Sequence, residues 1–264
     1  CRSWMKAALE GANKPWGALV RSSININATL PKVKPEKVPE ILKNFPGVKV
    51  IKIKVDSFNE DVDLVAATLD FLPDAKIRLD INGGWNLTQA MSNISQFLNR
   101  FGQVFEYFEQ PCNRLEELKE LKQQFGIKIA LDESIRKNLN SDFNEMADYG
   151  DFAIIKWQPS GGWSAATKLI EKIKLPVIIS SALESGIGIS RGLELAGILG
   201  IARACGLGTV ALLESDVVSP SVEAENGFIQ VFRREPDFVL VEKYRADAST
   251  TEWWKNRITR ICNT

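Results

Sequence analysis

The sequence predicts an α/β fold, a (β/α)8 TIM-type barrel of parallel strands that alternate with helices. Short strand-like runs alternate with segments of helical periodicity along most of the 264 residues. The strand-like runs are almost continuously apolar, which is typical of parallel strands covered by helices. Polar side chains recur at the carboxyl ends of these runs, at intervals that suit one strand and one helix each.

The predicted strands are runs of five to eight residues rich in apolar and β-branched side chains. They lie at 26–30, 48–55, 77–81, 105–109, 128–132, 152–157 and 176–181, with a weaker eighth at 204–209. Between the third and fourth runs, apolar residues recur every three or four positions and therefore share one helix face. These residues are Leu87, Ala90, Met91, Ile94, Leu98 and Phe101. Segments 115–125 and 163–173 repeat the pattern more weakly.

The chain divides into three predicted parts. Residues 1–23 have the pattern of a helical lead-in, residues 24–215 form the barrel, and residues 216–264 form a C-terminal segment. The last part contains Trp253 and Trp254 in a helix that we expect to pack on the barrel. No low-complexity linker separates the parts, so one barrel with appended ends is the simplest organisation.

Composition excludes several classes of function. The chain contains no histidine, which rules out Ser-His-Asp and Cys-His nucleophiles, zinc sites that use histidine, and imidazole acid–base catalysis. Lys plus Arg and Asp plus Glu both number 33, so net charge gives no reason to expect nucleic acid or a membrane as partner. Without a long apolar stretch or a signal sequence, a cytoplasmic location is expected.

The candidate active site consists of polar side chains at or just beyond the ends of successive strands. With one residue counted for each strand from Lys54 to Ser180, successive members are 23 to 29 residues apart, about the length of one βα unit. In a barrel they would meet at the carboxyl-terminal rim, where active sites of this fold lie. The set comprises Lys52, Lys54, Asp80, Glu109, Asp132, Glu133, Lys156, Ser180 and Ser181.

Each of these residues alone also has a structural interpretation. A single aspartate after a strand is often a helix cap, and Lys52 with Lys54 would suit a solvated strand edge. Lys156 is harder to explain in this way, because an unpaired lysine in an apolar strand is costly to bury. Three carboxylates on successive strands, flanked by lysines, favour a functional interpretation of the whole set.

The residue types indicate metal-assisted proton abstraction next to a carboxylate. Oxygen ligands from Asp80, Glu109 and Asp132 suit one Mg²⁺ ion, and without a cation three such groups would raise one another's pKa. The lysines are candidate bases. A bound cation and the ammonium of Lys52 would both favour the neutral, basic amine of Lys54.

The K-x-K pair, the D-x-N, E-Q-P and D-E-S strand ends, the later lysine and the S-S-A-L-E-S segment resemble the enolase superfamily. The resemblance runs from about Asn27 to the Trp-Trp segment. It is strongest to those members that dehydrate 2-succinyl-6-hydroxy-2,4-cyclohexadiene-1-carboxylate to 2-succinylbenzoate in menaquinone biosynthesis. The family chemistry, a lysine base with Mg²⁺ beside an enediolate, agrees with these residues.

The resemblance implies a role for each residue. Asp80, Glu109 and Asp132 would bind Mg²⁺. Lys54 would remove the α-proton and then protonate the departing hydroxyl, while Lys156 would stabilise the enediolate and Lys52 would tune Lys54. Asn82 and Glu133 would not contact the Mg²⁺ ion themselves but would orient its ligands. Ser180 and Ser181 would contact the small-molecule carboxylate substrate.

The resemblance also exposes a difference and leaves alternatives open. Members of the family carry an N-terminal capping domain, and residues 1–23 would be a remnant of it. We therefore expect the cap to be reduced or missing. We expect residues 216–264 to pack on the barrel or on the cap. A racemase or epimerase of N-succinylamino acids would use Lys54 and Lys156 on opposite faces of the substrate. A non-catalytic barrel that has lost its lid is the alternative from another class.

Overall fold

The computed structural model describes residues 2–12, 17–137 and 145–262, and its centre is a curled parallel sheet. Seven strands are hydrogen-bonded in their order along the chain, as expected for consecutive βα units. They are β2 (Ala28–Leu30), β3 (Val50–Lys54), β4 (Lys76–Asp80), β5 (Phe105–Glu109), β6 (Ile129–Leu131), β7 (Phe152–Ile155) and β8 (Val177–Ile179). Each of the seven main predicted strands overlaps one of these, which confirms the predicted alternation.

The eighth element is reduced to two residues that close the barrel. On one side, the Gly206 N–H donates to the carbonyl at the end of β8. On the other side, Cys205 exchanges backbone hydrogen bonds with Asn25 and Asn27, next to β2. The expected strand at 204–209 is therefore shorter than predicted, because the chain turns into a 3-10 helix at Thr209–Leu212. The α/β barrel itself is confirmed.

Helices cover the outside of the sheet, and their ends follow local sequence signals. Ser57 and Asn86 cap the helices after β3 and β4, and Gly126 ends the helix after β5 in the left-handed conformation, at φ 61°. The helices are α1 (Arg2–Ala12), α2 (Val38–Leu42), α3 (Phe58–Phe71), α4 (Leu87–Phe101), α5 (Leu115–Phe125), α6 (Glu133–Lys137), α7 (Met146–Tyr149), α8 (Trp163–Lys172), α9 (Gly186–Ile198), α10 (Phe238–Lys243) and α11 (Ala248–Cys262).

The interior of the barrel contains a charged group that the sequence analysis did not single out. Arg78 is fully buried, and its guanidinium donates to Asn27 Oδ1 at 2.9 Å and to Glu106 Oε2 at 2.8 Å. It also lies over the Tyr107 ring, 4.8 Å from the ring centroid. A buried arginine is tolerated here because a carboxylate, an amide and an aromatic face surround it.

The C-terminal part leaves apolar side chains open to solvent. β9 (Phe228–Gln230) pairs antiparallel with β1 (Ser23–Asn25), and the chain continues into α10 and α11. Trp253 and Trp254 on α11 remain about half exposed, at 50% and 49%. Packing of this segment on the barrel or on a cap stays a prediction. Within the described ranges, no helix is both long and apolar enough to cross a membrane.

Candidate active site

Strand register brings the predicted polar side chains to one end of the barrel. Lys54 is the Cα partner of Asp80, and Asp80 is the partner of Glu109 on the next strand. Asp132 directly follows β6, and Lys156 directly follows β7. Because all these strands are parallel, their carboxyl ends form a single rim, and the five side chains meet there.

Alternation along β3 directs its two lysines into the barrel. Ile51 and Ile53 belong to the apolar core that the sheet shares with the helices, whereas Lys52 reaches the neighbouring carboxylates. Lys52 Nζ lies 2.8 Å from Asp80 Oδ2 and 2.6 Å from Glu109 Oε1. All three of these charged side chains are buried, so each depends on the others for compensation.

The other two lysines lie closer to solvent at the rim. Lys54 Nζ lies 2.6 Å from Asp80 Oδ2 and 2.6 Å from Asn82 Oδ1, and its side chain is 37% exposed. Lys156 Nζ forms an ion pair with Asp132 and is less exposed. The amine of Lys54 is therefore within reach of a substrate that enters through the mouth of the barrel.

Asn82 connects Lys54 to the carboxylates of Asp80 and Glu133. Its backbone has a positive φ of 53°, and its N–H donates to Asp80 Oδ1 at 3.2 Å. Its side chain accepts from Lys54 through Oδ1 and donates to Glu133 Oε1 through Nδ2, at 3.3 Å. Asparagine tolerates this left-handed conformation better than most residues, which explains an asparagine at this turn.

Gln110 is a further residue of the site, to which the sequence analysis assigned no role. It is fully buried, with φ 41°, and its Oε1 accepts from the backbone N–H groups of Asp132 and Ser134 at 3.1 and 3.0 Å. Its Nε2 donates to the Ser134 hydroxyl at 2.6 Å. Gln110 therefore fixes the segment that carries Asp132. The E-Q-P motif contained the signal, since a polar residue before proline at a buried strand end requires partners.

The two serines lie on the far side of the rim, after β8. Ser180 is buried against Gly206, where a side chain in place of the glycine hydrogen would collide with it. The Ser181 hydroxyl is 2.7 Å from the Thr209 hydroxyl. Contacts of these serines with a substrate stay a prediction.

The carboxylates at the rim differ in acidity. Burial raises the pKa of Glu109 to about 7, and repulsion from Asp80 and Asp132 adds to this effect despite Lys52. Burial also opposes the charged form of Asp80, but the ammonium groups of Lys52 and Lys54 outweigh it and lower its pKa to about 2. The expectation that clustered carboxylates raise one another's pKa is therefore wrong for Asp80, because two lysines pair with it.

The donor set fits a divalent cation. Glu109 Oε2 is buried and has no hydrogen-bond partner among the described residues, which leaves a carboxylate oxygen available as a ligand. Hard oxygen donors of this kind are those that Mg²⁺ prefers. In the described part of the chain no three acidic, cysteine or histidine side chains form a ready metal cluster, and lysine ammonium groups lie against the carboxylates instead.

Comparison with known proteins agrees with this geometry. Residues 42–236 match the model of the enolase C-terminal domain-like family. The o-succinylbenzoate synthase of Mycolicibacterium smegmatis is 38% identical over 261 residues, which cover 97% of this chain and 80% of that protein. The o-succinylbenzoate synthase of Mycobacterium tuberculosis is 37% identical over 97% of this chain and 78% of that protein.

Solved structures share the fold at lower identity. The muconate lactonizing enzyme of Pseudomonas fluorescens matches 87% of this chain with a TM-score of 0.75 and 19% identity. A mandelate racemase/muconate lactonizing enzyme from Roseiflexus matches 82% with a TM-score of 0.71 and 21% identity. This chain spans 66% of each of those two proteins. The chain belongs to the enolase superfamily, within its family of o-succinylbenzoate synthases.

Proposed function

We propose that this protein dehydrates 2-succinyl-6-hydroxy-2,4-cyclohexadiene-1-carboxylate to 2-succinylbenzoate. The observation that carries the proposal is the position of Lys54, a rim-exposed amine held by Asp80 and Asn82 beside the buried carboxylates. The names of the relatives support the choice of substrate. A small carboxylate substrate suits a rim that presents lysines together with candidate ligands for a cation.

Asp80, Glu109 and Asp132 would hold one Mg²⁺ ion. When bound, the cation would supply positive charge beside the reacting carboxylate of the substrate and so make its α-proton more acidic. The orphaned Oε2 of Glu109 and the three carboxylate donors support this assignment. Asn82 and Glu133 would keep the ligand set in place through their mutual hydrogen bond.

Lys54 would act first as a base and then as an acid. As a neutral amine, its Nζ takes the proton from the ring carbon that bears the carboxylate. As an ammonium, it returns that proton to the hydroxyl that leaves the adjacent carbon, so that water departs on the same face and the ring becomes aromatic. Lys52 would assist Lys54, because its buried ammonium lies 2.8 Å from the same Asp80 oxygen that Lys54 contacts.

Lys156 would stabilise the negative charge that develops on the substrate. Lys156 follows β7, which lies across the barrel from β3. Its ammonium pairs with Asp132 at the same rim. A fixed positive charge in a water-poor site lowers the energy of the enediolate more than it does in water. In this mechanism Lys156 remains an ammonium throughout and transfers no proton.

Ultraviolet-monitored conversion of the cyclohexadiene substrate tests the proposal. We expect turnover with Mg²⁺, loss of turnover with a chelator, and a decrease of at least about 100-fold in Lys54→Ala. Lys49→Ala is the matched control, since Lys49 is an exposed lysine just before the opposite end of the same strand. Turnover that survives Lys54→Ala would exclude Lys54 as the base, and a wild-type chain without any turnover would contradict the proposed substrate.

A further inference from the structure

A buried amide beside the rim has no hydrogen-bond partner in the described part of the chain. Gln158 follows Lys156 by two residues and is only 5% exposed, yet neither its Nε2 nor its Oε1 has a hydrogen-bond partner among the described residues. Burial of such atoms without a partner is unfavourable, and native proteins contain few of them. An amide of this kind next to a catalytic lysine indicates a group that is used when a ligand binds.

The amide lies against the first turn of α9. A Cβ added to Gly188 in that turn would lie 2.9 Å from Gln158 Nε2 and 2.6 Å from Glu184 Cβ. Glycine at this position therefore lets the loop after β7 approach the loop after β8 closely. Glu184 interacts electrostatically with Lys156, so Gln158, Glu184 and Lys156 occupy the same side of the rim.

Charges at this side of the rim select what the amide can bind. Glu184 Oε1 accepts from the Ala182 N–H at 2.9 Å, and Asp216 accepts from the Gly186 N–H at 3.0 Å. Two carboxyl groups next to the first turn of α9 would repel a second carboxylate of the substrate. A neutral acceptor that needs an N–H donor fits better, and the proposed substrate contains one in the ketone of its succinyl group.

We propose that Gln158 is a substrate-binding residue whose Nε2–H donates to the ketone oxygen of the succinyl group. This inference rests on the proposed dehydration, because it is that substrate which carries the ketone. The amide would fix the side chain of the substrate on the Lys156 side, while the reacting carboxylate would lie beside the cation that Asp80, Glu109 and Asp132 would hold.

Binding of two probes to the Mg²⁺-loaded protein tests the inference. The first probe is 2-succinylbenzoate, and the second is 4-(2-carboxyphenyl)butanoate, which has the same carboxylates but lacks the ketone. In Gln158→Leu we expect 2-succinylbenzoate to bind about 10-fold more weakly, since one hydrogen bond is lost. Binding of the second probe should change less than about 2-fold. Gly188→Ala, which displaces the amide without removing it, should show the same selectivity.

A control variant and a measurement of stability distinguish the outcomes. Gln96→Leu removes a glutamine whose side chain bonds to Ser92 within α4, and it should leave both affinities unchanged. Gln158→Leu should not lower the unfolding temperature, because the amide makes no bond within the described structure. A lower unfolding temperature, or equal weakening of both probes, would overturn the inference. Wild-type protein that binds neither probe and shows no turnover would instead contradict the proposed function.

Discussion

Lys52 Nζ lies 2.6 Å from Glu109 Oε1 inside the barrel, where water reaches neither side chain freely. The ammonium of Lys52 compensates the negative charge of buried carboxylates at the ends of neighbouring strands, which would otherwise repel one another. Burial opposes the charged form of Lys52, but Glu109 and Asp80 outweigh it and raise the pKa of the lysine well above its usual value. Lys52 is therefore a permanent cation of the site.

Removal of this cation should destabilise the fold. In Lys52→Met, Glu109 and Asp80 lose a buried partner, and we expect the free energy of unfolding in metal-free buffer to fall by about 3–5 kcal/mol. Urea denaturation measures this free energy of unfolding. Lys52→Met combined with Glu109→Gln should recover part of the loss, because the double variant buries one uncompensated charge fewer. A single variant within about 1 kcal/mol of the wild type would show that the pair is not needed for compensation.

Mg²⁺ should stabilise the folded chain through the three carboxylates. At a free concentration 100 times Kd, binding to the native state alone adds about 2.7 kcal/mol, which thermal unfolding detects as a higher midpoint. We expect this increase in the wild type and its loss in Asp132→Asn. Glu116→Gln changes an exposed carboxylate on α5 and should keep the full increase. An undiminished increase in Asp132→Asn would place the cation elsewhere.

Asn82 should support activity through its side chain and folding through its backbone. Asn82→Gly keeps the positive φ available and removes only the bonds to Lys54 and Glu133, so we expect kcat to fall about 10-fold at unchanged stability. Asn82→Ala should lose the same activity and also about 1–2 kcal/mol of stability, because alanine lacks the short polar side chain that lets asparagine tolerate φ 53°. Steady-state kinetics and urea denaturation separate the two effects. Equal stability of the two variants would argue against backbone strain.

Low pH should loosen the start of α11. Asp247 caps this helix, and bonds from the Thr250 N–H and the Ser249 and Thr250 hydroxyls lower its pKa from 3.8 to about 2. A lowered carboxyl pKa stabilises the helix above about pH 4, and this contribution disappears as the pH falls towards 2. The protection of the amides in 248–262, measured as exchange relative to the intrinsic rate at each pH, should therefore fall over that interval. Asp247→Asn, which keeps a cap without the charge, should remove most of this pH dependence.

The sequence located the strands and the rim because both leave periodic signals. Apolar runs mark buried parallel strands, and the polar residues that end them, such as Asp80 and Glu109, recur once per βα unit. Pairings between strands leave no such signal. The lowered pKa of Asp80 depends on which lysines reach it, and the role of Gln110 depends on a positive φ. The two-residue closure at Cys205 and Gly206 is also too short for a periodic pattern to predict.

Lys156→Arg should distinguish dehydration from racemisation. Dehydration needs only a positive charge at this position, whereas a racemase needs a group that exchanges protons, and arginine keeps the charge without exchanging protons near neutral pH. We expect Lys156→Arg to retain dehydration within about 10-fold of the wild type, and Lys156→Ala to lose about 100-fold or more. Any racemisation of N-succinylamino acids, which needs a proton-exchanging group on each face, should disappear in both variants. Dehydration that collapses equally in both variants would contradict a purely electrostatic role and indicate that Lys156 itself transfers a proton.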